Sequence, residues 1–179
     1  MIYVSEIFEE EPAEFKTSLQ EKTYKVLKEL DIPFYRVDTD EAITMEDCIR
    51  INEKLNAHIV KTLFLCNRQQ TEFYLFITRG DKPFVTKNFS GALGISRVSF
   101  ATPELMLEML GTKVGAATVF GVLSDKDGKI KVVIDKEVLS EEMYGCSDGT
   151  TTGYMKVPTN DILTKFLSYA KHEPIIAEV

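Results

Sequence analysis

Long hydrophobic runs are missing from this chain of 179 residues. No stretch approaches the ~20 apolar residues that a membrane helix needs, so no membrane-spanning role is expected. The opening MIYVSEIFEEEP has neither a basic flank nor a continuous apolar run, and no secretory leader is expected from it. Cysteine is scarce: Cys48, Cys66 and Cys146 are odd in number and form no C-x-x-C. Neither a disulfide scaffold nor a zinc site is expected, and buried thiols in a reducing cytoplasm are the default. Positive charge is in deficit, with 21 Lys and Arg against 28 Asp and Glu and a net charge of −7. Counterion release from nucleic acid rewards Lys and Arg, so this balance excludes an extended DNA- or RNA-wrapping surface. Ten glycines and six prolines are too few for a low-complexity linker protein.

What is present is an ordinary globular mixture, 44% hydrophobic and 27% charged, in a chain long enough to bury a sizeable core. No repeat or linker divides it, and residues 1–179 read as one domain. Phe15, Leu19, Val26, Leu27 and Leu30 fall on one face of a helix over roughly Pro12–Leu30, with Pro33 just past its end. Phe34–Val37 reads as a short strand. Thr44 and Asp47 resemble a capping box for a second helix carrying Met45, Cys48, Ile49 and Leu55. Ile59–Cys66 and Glu72–Thr78 read as a hairpin across the polar NRQQT. Asn88–Gly94 and Pro103–Leu110 read as short helices, the latter with Thr102 as N-cap and Gly111 after its last turn. TVFGVL and KIKVVID read as two strands joined around Asp127-Gly128. Thr152–Val157 reads as a further strand, and Thr159 as the cap of a final helix with Ile162, Leu163, Phe166, Leu167 and Ala170 inward. The fold class is α/β (α+β), with a mixed sheet and helices packed around it.

Few residues announce chemistry. P-loop, dinucleotide-fold, zinc-protease and serine-hydrolase motifs are all absent. His58 and His172 lack a metal-ligand partner at helical spacing and read as surface or capping histidines. The acidic residues at Asp38, Asp40, Glu41, Glu46 and Asp47 read as a solvated loop and helix start. Lys61 shares an alternating face with Ile59, Leu63 and Leu65. A cation on an apolar face needs a partner or a route to water. The plainer reading is a lysine that guards a sheet edge. Nine of the ten glycines lie at or after Gly91, three within Gly111–Gly121 and three within Gly145–Gly153. Such turns allow close ligand approach and can expose N–H groups to an anion or oxyanion, although helix caps and ordinary turns explain the spacing equally.

In order along the chain, KTLFL at Lys61–Leu65, ISRVSFATPELM at Ile95–Met106 and LGTKVGAATVFGVLSDKDGKIKVVIDKEVL at Leu110–Leu139 resemble the YbaK/ProX family of aminoacyl-tRNA editing domains. HEP at His172–Pro174 is similar to the tail of its ProX/PrdX-like members, which are prolyl-tRNA synthetase-associated deacylases. The resemblance implies a curved mixed sheet surrounded by helices with a pocket between them. It implies hydrolysis of the ester that joins a wrong, small amino acid to a tRNA 3′ end, alanine on proline tRNA being the first choice, with no cofactor and no metal. The implied partners are the aminoacyl-tRNA acceptor end and prolyl-tRNA synthetase, in the cytoplasm. Lys61 matches the family lysine needed for deacylation, and the loop of Gly111, Val114, Gly115, Ala116 and Thr118 matches the loop whose backbone approaches the ester. Because that ester is already activated, a positioned water and oxyanion donors suffice, and Lys61 serves as a point charge. Thr62 stands where the family has Asn, and Val114 and Val119 where it has Pro. Ser147, Asp148 and Thr151 align with its H-P-x-x-N segment, and Thr39 lies near an early histidine. Thr62, Ser147 and Asp148 join the expected substrate-binding set. The same departures motivate an alternative, a catalytically inactive module that binds tRNA ends, a synthetase or a small aminoacyl ligand.

Overall fold

The computed structural model describes all residues 1–179. In chain order the elements are α1 (Ser18–Glu29), β1 (Tyr35–Asp38), α2 (Ile49–Leu55), β2 (Lys61–Asn67), β3 (Phe73–Thr78), α3 (Thr86–Leu93), β4 (Val98–Phe100) and α4 (Pro103–Leu110). Then follow β5 (Ile130–Asp135), β6 (Met143–Ser147), β7 (Gly153–Pro158), a final helix and β8 (Ile175–Ala177).

Local chemistry sets most boundaries. The first helix starts later than its apolar spacing suggests, because Thr17 is the N-cap and its hydroxyl accepts from Gln20 N at 3.0 Å. Gln20 Oε1 in turn accepts from Lys16 N at 2.7 Å, so the entry is tied from both sides. Thr44 and Asp47 do exchange the expected capping bonds (3.1 and 3.2 Å), yet they close only a turn, and α2 begins at Ile49. Pro103–Leu110 matches expectation, with Thr102 Oγ1 accepting from Leu105 N and Gly111 left-handed at φ 73°. The final helix runs Thr159–Asp161, a π turn over Ile162–Phe166, then Leu167–Tyr169. Thr159 does not cap it; its hydroxyl donates to Glu141 O instead.

The strands form two sheets rather than one. The five-stranded sheet has the order β4-β2-β3-β5-β8, and the three-stranded sheet β1-β7-β6. The hairpin β2–β3 is antiparallel with Lys61 opposite Thr78, whereas β5 pairs in parallel with β3 and with β8. The expected hairpin of TVFGVL with KIKVVID does not form, since Val119–Ser124 is a 3-10 helix. Val119, Phe120 and Val122 are buried in the main core with Leu110 of α4. A fully buried apolar run has the same composition in either conformation. Gly121 allows the close fit, because a Cβ there would lie 3.0 Å from Leu110.

The main core lies on one face of the larger sheet and joins Tyr24 and Leu27 of α1 to Phe64, Leu75, Ile134, Phe120 and Phe166. The other face carries Leu65, Phe76 and Val133 against Phe89 of α3. Each such side chain contributes about 1.5–3 kcal/mol when fully buried. The sheets are joined where Ile59 forms a parallel bridge with Gly145 and Val60 N donates to Gly145 O at 2.9 Å.

Candidate functional site

The seam between the sheets opens immediately after that bridge. Val60 N is bound to Gly145 O, and Phe64 O accepts from Ala101 N beside β4. In an antiparallel strand, alternate residues direct their backbone groups to the same side. Thr62 lies between these two, so its main chain faces a gap that neither β6 nor β4 fills. A cavity of about 350 Å³ occupies this place, walled by β2, Ser147, Tyr154, Met106 of α4 and the loop before the 3-10 helix. Its volume is at the small end of ligand pockets. Ile43, Phe100 and Val114 line it and are exposed, at 53, 58 and 54%, forming an apolar mouth.

Lys61 lies at the inner end of this wall, half-buried. Its Nζ donates to Lys82 O at 2.6 Å and makes no ion pair. β4 pairs with β2 only over Leu65–Asn67, so at Lys61 the strand is paired with β3 on one side and open on the other, the edge position that a guarding lysine would occupy. The loop that receives the amine is itself fixed: Lys82 Nζ donates to Asp135 Oδ2 at 2.9 Å and Glu137 Oε1 at 3.2 Å. Burial would push the Asp135 carboxyl up, but the bonds from Lys82 and Thr78 outweigh it and hold the carboxyl below its ordinary range.

Of the expected residues, Lys61, Thr62, Val114, Gly115 and Ser147 share the cavity. Gly115 has φ +89°, and a Cβ there would meet Ile43 at 2.9 Å, so only glycine lets the loop pass beneath Ile43. Within residues 112–118 only Ala116 N has a partner in the chain, Lys113 O at 3.1 Å. The N–H groups of Val114, Gly115, Ala117 and Thr118 bond to no protein group. Ser147 supplies wall rather than a free hydroxyl, for its Oγ donates to Thr150 O (2.6 Å) and accepts from Gly149 N (3.0 Å).

Gly111, Ala116, Thr118 and Asp148 do not line the cavity. Gly111 is the C-cap of α4, and Ala116 and Thr118 are fully buried behind the loop. Asp148 sits beneath the three-stranded sheet, where its oxygens accept from Gln20 Nε2 (2.9 Å), Tyr24 OH (2.8 Å), Thr150 Oγ1 (2.7 Å) and Thr150 N (3.1 Å). It ties α1 to the β6–β7 turn, which positions Ser147 next to it. Thr151 and Thr39 also lie outside the cavity and stitch the Thr39–Ile43 segment to it: Thr39 N donates to Thr152 O and Ala42 N to Thr151 O. Tyr154 OH donates to Ala42 O at 2.6 Å, which holds Ile43 over the mouth.

Neither histidine enters the cavity. His58 pairs with Glu141 at 3.1 Å and lines a second hollow of about 320 Å³ on the far side of Ile59 and Val60. The polar groups of that hollow are largely spent on one another, as in Arg79 with Asp81. His172 is buried rather than at the surface, bridging Ala170 O (2.6 Å) and Asp125 Oδ2 (2.8 Å). It closes the helix end, as a capping histidine does. Cys48 reaches the cavity, but burial and the neighbouring Asp47 push its thiol up to about 11, and burial raises that of Cys146 further. Neither is a thiolate at neutral pH. Ile43, Phe100 and Tyr154 were not singled out in the sequence; apolar residues beside turns and on a three-residue strand carry no chemical signature of their own.

The family model for the aminoacyl-tRNA editing domain matches residues 39–165, most of the chain and every residue that lines this cavity. The chain belongs to the aminoacyl-tRNA editing domain family. The prolyl-tRNA editing protein ProX of Acetoanaerobium sticklandii is 27% identical over 150 residues, covering 84% of this chain and 85% of that protein. Prolyl-tRNA synthetase associated domain-containing protein 1 of Danio rerio is 26% identical, covering 92% and 88%. Among solved structures, a candidate trans-editing enzyme for prolyl tRNA synthetase superposes with a TM-score of 0.63 at 14% identity, covering 92% of this chain and 99% of that chain. That likeness establishes the shared fold, a mixed α/β domain with two sheets.

Proposed function

We propose that this editing domain hydrolyses the ester of a mischarged aminoacyl-tRNA carrying a small amino acid, with alanine on proline tRNA as the first substrate to try. The observation that carries the reading is the pairing, in the lining of one small cavity, of Lys61, which has no anionic partner, with Val114, Gly115 and Ala117, whose backbone N–H groups have no partner in the chain. Lys61 would hold the anionic or hydroxyl-rich tRNA end, and the loop donors would face the oxygen on which charge develops. Water oxygen attacks the ester carbonyl carbon; the intermediate collapses by breaking the bond to the ribose oxygen, which leaves with a proton. The products are free amino acid and a tRNA with its terminal hydroxyl restored. The raised thiols agree with water, rather than cysteine, as the nucleophile. The relatives' names support both the tRNA substrate and an association with prolyl-tRNA synthetase.

A second reading, a binding module without turnover, is favoured by one observation: no histidine or carboxylate lines the cavity to serve as a general base. Purified protein incubated with alanyl-tRNA for proline, then with cysteinyl-, seryl- and other mischarged species, separates the two. Release of amino acid from at least one is expected. Lys61→Ala should slow it by about 10²–10³-fold, the scale for removing one electrostatic donor, with the melting temperature kept. If the whole panel stays charged at high protein concentration, the enzyme reading is lost. A fully active Lys61→Ala would sink the site assignment.

A further inference from the structure

Lys61 is the one charged residue in the lining of its cavity, and no aspartate or glutamate lies there. Two further titratable side chains line it, Cys48 ahead of α2 and Tyr154 on β7. Burial raises both, so each is uncharged at neutral pH. The carboxylates on the segments that build the walls are turned to other partners. Asp40 accepts from Tyr3 N at 2.9 Å, and Glu41 from Lys113 Nζ and Thr151 Oγ1, both at 3.3 Å. Asp47 accepts from Ile43 N and Thr44 N, both at 3.1 Å. Glu46 lines the hollow beyond Ile59 and Val60. Asp148 lies beneath the smaller sheet with its own donors. On α4, Glu104 and Glu108 stand two residues to either side of Met106, which lines the cavity. At 3.6 residues per turn, that separation is about 200° around the helix.

This balance bears on the amino acid half of an aminoacyl ester. An α-amine is an ammonium below about pH 7.7. An ammonium moved from water into a small apolar cavity needs an anion, and a cation in the wall adds repulsion. The wall offers a neutral acceptor instead, since the Thr62 main chain faces the gap between β6 and β4. A carbonyl accepts equally from an uncharged amine or from a hydroxyl.

We infer that the cavity admits the amino acid with its α-amine uncharged, the proton remaining in solvent, and that esters of small 2-hydroxy acids are substrates of the same site. The inference rests on the editing reading for the ester, and the two can fail separately. Alanine and lactate, each joined by an amide to 3′-amino-3′-deoxyadenosine, make two analogues of one shape that lack the ester. Calorimetric titration of the wild type is run at about pH 8.7 and about pH 6.7, one unit either side of the ordinary value of an α-amine. Titration of the protein itself moves both dissociation constants alike, so their ratio isolates the amine. That ratio should shift about tenfold against the alanyl analogue at the lower pH. A constant ratio, or a shift in favour of the alanyl analogue, means that the ammonium is accepted; it overturns the inference and leaves the editing reading intact. Deacylation gives a second readout. Lactyl-tRNA should be hydrolysed, and its kcat/KM relative to that of alanyl-tRNA should rise as pH falls. Cleavage of alanyl-tRNA with lactyl-tRNA left intact would also overturn the inference. If neither ester is cleaved and neither analogue binds, the editing reading is lost and this inference with it.

Discussion

At the scale of single residues, two of the three buried carboxylates, Asp148 and Asp135, show how one residue type acquires opposite roles. Asp148 is pushed up by burial, an effect that its bonds from Gln20, Thr150 and Tyr24 only partly oppose. It therefore takes up a proton on folding between the unfolded value, near 3.9, and its raised folded value. Stability falls as pH rises through that window. Asp135 is held below its ordinary range by Lys82 and Thr78 against the cost of its burial. Its contribution is complete above the unfolded value and is lost as pH falls through the depressed folded one. Denaturant unfolding of the wild type, D148N and D135N from pH 3 upward should show the two signs directly. Relative to D148N, the wild type should lose stability as pH rises above about 4. Relative to D135N, it should lose stability as pH falls below about 4. Differences that move in the same direction would mean that one network has been misread. The family resemblance puts Asp148 in the substrate-binding set because it aligns with the H-P-x-x-N segment; only the fold brings Gln20 and Tyr24, over 120 residues away, onto its oxygens.

At the scale of elements, local signals set several boundaries, although the Thr159 cap and the Thr44–Asp47 box did not start their helices. The Thr102-Pro103 start, the Gly111 stop and the NRQQT hairpin all appear as read. What sequence hid is decided by partners distant in the chain. The run Val119–Ser124 became helical inside the core, β8 adds only three residues at a sheet edge, and β6 is rich in Gly, Cys and Ser. The seam at Ile59 was equally hidden, because it is made by glycines on both sides. A Cβ on Gly80 would lie 2.6 Å from Ile59 O, and one on Gly145 2.6 Å from His58 O. Both meet backbone, and Gly80 also meets the tip of the Met45 side chain. Gly145→Ala and Gly80→Ala should each cost about 1–3 kcal/mol, the usual range for overpacking. Gly91 in α3 has no atom within 4 Å of its would-be Cβ, and Gly91→Ala should stabilise the chain by about 0.5–1 kcal/mol through helix propensity. Chemical denaturation of the three variants checks the contrast. A neutral Gly145→Ala would show that the sheets can separate there without cost.

At the scale of the whole molecule, charge and cavity limit how RNA is met. The net charge of −7 opposes an approaching polyanion, and Lys61 is the one cation in the lining of the cavity. Affinity must then come from a short contact at the strand end together with the amino acid filling the 350 Å³ cavity, not from a surface that tracks a duplex. A contact with about three phosphates of a single strand corresponds to a log–log salt slope of about −2. Deacylation should follow it: kcat/KM for a mischarged tRNA should fall by about twentyfold between 50 and 200 mM salt. Uncharged tRNA should compete weakly, since it lacks the group that fills the cavity. Rates over a salt series, with uncharged tRNA as competitor, make the measurement. A slope of −5 or steeper, or uncharged tRNA that competes as well as the substrate binds, would require a broad phosphate-binding surface that this acidic chain does not present.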